Sequence, residues 1–171
     1  MSNNVYNFGA GPATLPSSVI EQVKSNLQDF DNGMSIMEIS HRSSAFKDYA
    51  DQSEASIRKL LNISDDYAVL FLQGGATFQF SMVPQNLSEW LPNKKYQING
   101  SANYLITGGW SKKAADYAKF HTSVNTVYDS SENSYTSVID IKDWNINPDV
   151  DYFYYCANET VHGLEIHETP D

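Results

Sequence analysis

Two short apolar runs, Tyr67–Leu72 and Tyr104–Thr107, each lead into a glycine pair and then a helix-compatible segment. Strand, glycine turn, helix, strand is the order of parallel α/β folds, because parallel strands need a crossover connection, usually a helix. Tyr67-Ala-Val-Leu-Phe-Leu72 has no alternating polar residues, which predicts a strand buried on both faces. Ser123–Val127 and the aromatic Asp151–Cys156 read as further strands. A helix is expected from Ser17 or Ser18, either able to cap it, with Val19, Ile20, Val23, Leu27 and Phe30 on one face. Asp31-Asn32-Gly33 closes it. A second helix, about Ser44 to Leu61, has a predicted buried stripe through Phe46, Tyr49, Ala50, Ser53, Ile57, Leu60 and Leu61, with Glu54 facing Arg58. Two more are expected, one from the Gly74-Gly75 turn to Leu87 and one over Lys112–Phe120, and residues 92–101 and 130–134 read as polar loops. No helix follows the last strand-like segments, so the sheet reads as unfinished.

Charge and composition exclude several classes. The net charge is −10 and the pI about 4.6, the wrong sign for a chain that coats nucleic acid or an anionic membrane. With 41% hydrophobic and 19% charged residues, the chain is too apolar for disorder. A single cysteine excludes an intrachain disulfide framework and a Cys-rich zinc site. No apolar run approaches the ~20 residues that span a bilayer. The first residues lack the basic and apolar regions of a signal peptide. The expectation is a soluble cytoplasmic protein.

Ligands of open α/β sheets bind at the carboxyl ends of the strands, and four polar clusters fall at or near such ends. Gly74-Gly75-Ala76-Thr77 exposes backbone N–H groups and a hydroxyl at a helix start, suited to a phosphate; it is equally a tight turn that needs glycine. It is neither G-x-x-x-x-G-K-[ST] nor G-x-G-x-x-G. Trp110, in Gly109-Trp110-Ser111, offers an indole that stacks on a flat ring or packs on a neighbouring element. Arg42, one of two arginines, is a fork for a carboxylate or phosphate, or half of a structural ion pair. Its neighbour His41 reads as a hydrogen-bonded structural histidine. Asn158-Glu159-Thr160 offers polar groups to a ligand hydroxyl, or a set of turn residues. His162 and His167, five apart in a strand, point to opposite faces, so no metal site is expected. Cys156, inside an apolar strand, reads as an inert buried thiol.

The stretches Asn7-Phe-Gly-Ala-Gly-Pro-Ala-Thr-Leu-Pro16, Met37-Glu-Ile-Ser-His-Arg-Ser43, Phe71-Leu-Gln-Gly-Gly-Ala-Thr-Phe-Gln-Phe80, Thr107-Gly-Gly-Trp-Ser111 and Tyr155-Cys-Ala-Asn-Glu-Thr-Val-His-Gly163 together resemble the phosphoserine aminotransferases. The resemblance spans essentially the whole chain. It implies an α/β fold: part of the large domain of a fold-type I pyridoxal-phosphate aminotransferase, mainly parallel sheet with flanking helices. Residues 1–16 would be an N-terminal arm and 17–171 an incomplete cofactor-binding domain. The implied reaction moves an amino group between L-glutamate and 3-phosphohydroxypyruvate, giving O-phospho-L-serine in serine biosynthesis. By the same resemblance Ala76 and Thr77 bind the phosphate of pyridoxal 5'-phosphate, Trp110 stacks on its ring, Thr160 lies beside its O3′ edge, and Arg42 grips a substrate carboxylate. Family members are homodimers, so a homodimer is implied for a full-length chain.

The family's Schiff-base lysine and the aspartate beside the pyridine nitrogen lie beyond the segment resembling Glu168–Asp171, so no residue of this chain is assigned a catalytic role. None of the nine lysines ends a strand in an apolar setting that would depress its pKa. The expectation is a fragment of such a transaminase, inactive and marginally stable alone. The alternatives are a non-catalytic remnant or partner-dependent module, and a relative of the serine–pyruvate transaminases.

Overall fold

The computed structural model describes residues 5–88 and 100–167. Of the predicted loop over 92–101, residues 92–99 lie outside the described residues, as does the segment 168–171, and Ser101 belongs to a strand instead. The chain divides into two compact units, residues 1–71 and 72–171.

The first unit holds helices α1 (Ser17–Gln28) and α2 (Ser44–Leu61). Neither serine caps α1: Ser17 is already helical, and Pro16 precedes it with its ring fixing φ at −57° and no side-chain cap. The chain reverses after α1, where Asp29 Oδ1 accepts the Gly33 N–H at 2.9 Å and Met34 O accepts that of Phe30 at 2.7 Å. Helix α2 has the expected bounds. Ser43 Oγ accepts the Phe46 N–H at 3.2 Å as its N-cap, and Arg58 meets Glu54 at 2.8 Å. The Arg58 guanidinium also donates to the carbonyls of Ser64 and Tyr67, at 3.1 and 2.9 Å, securing the exit from the helix. Phe30 meets Tyr49 edge to face at 5.3 Å.

The apolar stripes of both helices are not buried as expected: neither helix contains a buried residue, and Leu60 is 82% exposed. The predicted strand Tyr67–Leu72 is corrected as well. Its backbone pairs with no described strand, and Leu70 is 70% exposed. An apolar run is a strand only when a neighbour accepts its ladder hydrogen bonds, and none of the described residues does so.

The second unit contains the core. Helix α3 (Gly75–Leu87) precedes β1 (Ser101–Ile106), α4 (Gly109–Ala118), β2 (Ser123–Asp129) and β3 (Tyr152–Tyr154). A short antiparallel pair, β4 (Asn158–Glu159) and β5 (Leu164–Glu165), ends the described chain. The sheet runs β2-β1-β3, with both pairings parallel. Its central strand β1 is flanked on both edges, so Ala102 to Ile106 are all buried. Helix α4 lays Ala114, Ala115 and Ala118 on the sheet, small residues that allow close approach. Tyr104, 1% exposed, stacks on Tyr154 at 4.8 Å, and its hydroxyl lies 2.9 Å from that of Tyr152. Burial drives the Tyr104 hydroxyl far above the usual phenol range and pushes Tyr154 up to about 12. The buried Asn103 amide is satisfied from both edges: its Oδ1 accepts from Asn125 at 2.7 Å and its Nδ2 donates to Asn147 O at 2.9 Å. That bond ties the return before β3 to the central strand.

The predicted strand Asp151–Cys156 shortens to Tyr152–Tyr154, which pair with Ala102–Tyr104 of β1. Cys156 therefore lies past the strand end and is half-buried, not enclosed in a strand. Burial, followed by the neighbouring Glu159 carboxylate, raises its thiol pKa, so the nucleophilic thiolate is disfavoured.

Candidate functional site

The carboxyl end of β1 runs through Thr107 into Gly108 and Gly109, and α4 starts there without a local side-chain cap. The first N–H groups of a helix have no intrahelical partner. Here those of Trp110 and Ser111 are satisfied from a distance by Glu159, which is 1% exposed. Its Oε1 accepts from Ser111 N at 2.7 Å and Ser111 Oγ at 2.5 Å, and its Oε2 accepts from Trp110 N at 3.0 Å. Ser111 Oγ accepts in turn from Thr107 N at 2.8 Å and Gly108 N at 3.1 Å. Gly108 is extended and unstrained (φ 175°), but a Cβ there would stand 2.5 Å from the Glu159 carboxyl carbon. Close approach of the carboxylate is what requires glycine.

The residue after Glu159 completes the arrangement. Trp110 Nε1 donates to Thr160 Oγ1 at 2.9 Å. The structure thus brings together two residues that the sequence offered separately, fifty positions apart. The Thr160 hydroxyl, having accepted from the indole, retains its own O–H donor. Lys113 Nζ lies 5.7 Å from the Trp110 ring centroid. His162 is brought in too: its Nδ1 accepts the Gly109 N–H at 3.2 Å, and its ring lies 4.4 Å from that of Tyr135. Among the described residues no group of His, Cys, Asp and Glu is placed to hold a metal ion.

Ala76 and Thr77 sit in the first turn of α3, in the same unit. Gly74, at φ 92°, precedes the helix, and its carbonyl accepts the N–H of Phe78 at 3.3 Å. The N–H groups of Gly75, Ala76 and Thr77 therefore precede the ladder, and no side chain among the described residues caps the helix. No acidic residue occupies that turn. Three uncapped N–H donors and a threonine hydroxyl are a donor set for an anion. An indole fixed by a hydroxyl is suited to a flat polar ring. The residues present therefore offer a donor set for an anion at the start of α3 and a stacking surface for a flat ring at the start of α4. Thr107 Oγ1, buried at the end of β1, has no hydrogen-bond partner among the described residues.

Arg42 lies in the first unit, in the loop before α2, with its backbone N–H donating to Ser40 Oγ at 3.2 Å. Its side chain is exposed and makes no ion pair among the described residues. His41 is also exposed. Sequence reasoning named neither the Glu159 nor the Ser111 contact. A glycine pair opening a helix that lacks its own cap is the signal that a remote acceptor is required.

The family model for class-V aminotransferases matches residues 5–171. The phosphoserine aminotransferase of Nitrosomonas europaea is 46% identical over 168 residues, which cover 98% of this chain and 44% of that protein. That of Rhodopirellula baltica is 43% identical over 171 residues, covering 98% of this chain and 43% of its own. Among solved structures, phosphoserine aminotransferase from Bacillus circulans subsp. alkalophilus superimposes with a TM-score of 0.84 at 34% identity, over 99% of this chain and 45% of that one. A PLP-bound phosphoserine aminotransferase from Trichomonas vaginalis gives 0.81 at 33% identity, over 97% of this chain and 45% of its own. The chain spans under half the length of these relatives.

Proposed function

This chain belongs to the class-V aminotransferase family, with the parallel sheet and flanking helices of the fold-type I aminotransferases, and on that membership we propose that it is the pyridoxal-phosphate-binding portion of a phosphoserine aminotransferase. The reaction is transfer of an amino group between L-glutamate and 3-phosphohydroxypyruvate, with O-phospho-L-serine as product. Residues 17–171 act as part of the cofactor-binding domain and 1–16 as an N-terminal arm. The working protein is a cytoplasmic homodimer.

The observation that carries the reading is the contact between Trp110 and Thr160, made across fifty residues at the carboxyl end of the central strand. When bound, pyridoxal phosphate supplies the electron sink and amino carrier. This chain's residues hold and orient it. The Ala76 and Thr77 N–H groups and the Thr77 hydroxyl bind the phosphate, the Trp110 indole stacks on the ring, and the Thr160 O–H donates to the ring's oxygen substituent. Arg42 supplies a guanidinium fork for the substrate carboxylate. Lys24, Lys112, Lys119 and Lys142 pair with surface carboxylates, and none is assigned a catalytic role.

Activity of the full-length protein that contains this chain, loaded with pyridoxal phosphate and supplied with glutamate, tests this directly. We expect 2-oxoglutarate to form with 3-phosphohydroxypyruvate and far more slowly with unphosphorylated hydroxypyruvate. Equal rates would move the protein to another substrate class, and no transfer would favour a non-catalytic module.

A further inference from the structure

We propose that Glu159 is a positioning residue that fixes the plane of the Trp110 indole for its ligand, an inference that rests on the pyridoxal-phosphate reading above. Two successive residues grip Trp110 at two points. Glu159 Oε2 accepts its backbone N–H at 3.0 Å, and Thr160 Oγ1 accepts its indole N–H at 2.9 Å. A turn that holds both the root and the tip of one side chain leaves it little rotational freedom.

The choice of cap points the same way. A serine or aspartate in place of Gly108 would satisfy the start of α4 locally. Instead the cap is a buried carboxylate 48 and 49 residues away, and the turn before the helix gives up its Cβ to admit it. Burying a carboxylate is a poor route to stability compared with apolar packing. What this cap adds over a local one is registry between the end of β1, the start of α4 and Thr160. The Ser111 hydroxyl extends that registry to the strand by accepting from Thr107 and Gly108.

Glu159→Gln discriminates. A glutamine amide has one acceptor oxygen where the carboxylate has two. Either Trp110 N–H or the Ser111 donors then face an NH2 group. Pyridoxal-phosphate affinity, the visible circular-dichroism band that bound pyridoxal phosphate acquires, and the melting temperature are measured on the full-length protein that contains this chain. Val127→Ala, a core change in β2, is the structural control. We expect Glu159→Gln to weaken binding about tenfold, the cost of one unpaired buried donor, and to diminish the band. Val127→Ala should lower the melting temperature and leave the band in place. Should Glu159→Gln fail to fold, Glu159→Asp is scored in the same way, with the carboxylate kept but withdrawn by one methylene.

Unchanged affinity and an unchanged band in the folded variant overturn the inference and leave the ligand reading standing. A wild-type chain that binds no pyridoxal phosphate defeats the ligand reading itself, and this inference with it.

Discussion

Helix α2, in residues 1–71, carries seven stripe positions, of which Phe46, Ala50, Ser53 and Ile57 are half-buried and none is fully buried; α4, in residues 72–171, carries alanines and a serine and fully buries Ser111, Ala114, Ala115 and Ala118. The contrast is one of neighbours, not of pattern. A helix's apolar period says which face needs cover. Cover itself comes from a sheet close enough to receive that face, and small side chains are what permit the closeness. The unit with the weaker stripe therefore holds the core, because β1 has a strand on each edge and a helix across its face.

This comparison makes its largest demand on stability. Tyr104→Ala removes a fully buried ring from the second unit and should cost about 3–5 kcal/mol. Leu60→Ala in the first unit should stay within about 0.5 kcal/mol, because an exposed side chain loses little. Urea unfolding of the two variants reads the difference, and equal losses would break the contrast.

Next comes alkaline titration. Tyr154 titrates near 12 when folded, against about 10 when unfolded. A phenol whose folded pKa is raised contributes stability that is complete below the unfolded value and is lost as pH rises through the folded one. The second unit should thus weaken between about pH 10 and pH 12, by on the order of 1–2 kcal/mol for this group. Tyr154→Phe should flatten that slope, read as melting temperature against pH.

The smallest effect falls in the first unit. Ser43→Ala removes the α2 cap and should cost about 1 kcal/mol, seen as faster amide exchange at Phe46 with no change around Trp110. A change at Trp110 would show coupling that the account does not contain.

Much of this was legible from residue order. The bounds of α2, the Glu54–Arg58 pair and the passage from β1 through the glycine pair into α4 all rest on neighbours within a turn or two, where spacing carries the information. Trp110 and Thr160 were legible as separate candidates. Their contact was not, because fifty intervening residues leave no periodic trace. Glu159 was legible as a polar candidate but not as the cap of α4, for the same reason: its three donors lie in a helix start 48 and 49 positions earlier. The apolar run Tyr67–Leu72 misled because composition marks a segment that suits a sheet without naming the strand beside it. In α2 the stripe is half-buried at Phe46, Ala50, Ser53 and Ile57 and exposed at Tyr49, Leu60 and Leu61, in a chain that spans under half the length of its relatives.

The central claim is that Trp110 is the surface on which pyridoxal phosphate lies. Titration of the full chain with pyridoxal phosphate tests it, comparing wild type with Trp110→Leu and with Trp144→Phe. Trp144 stacks on Phe153 at 6.0 Å in the same unit and serves as the control. The account predicts saturable binding that Trp110→Leu weakens at least about tenfold and Trp144→Phe leaves unchanged. Equal affinity in wild type and Trp110→Leu would contradict it.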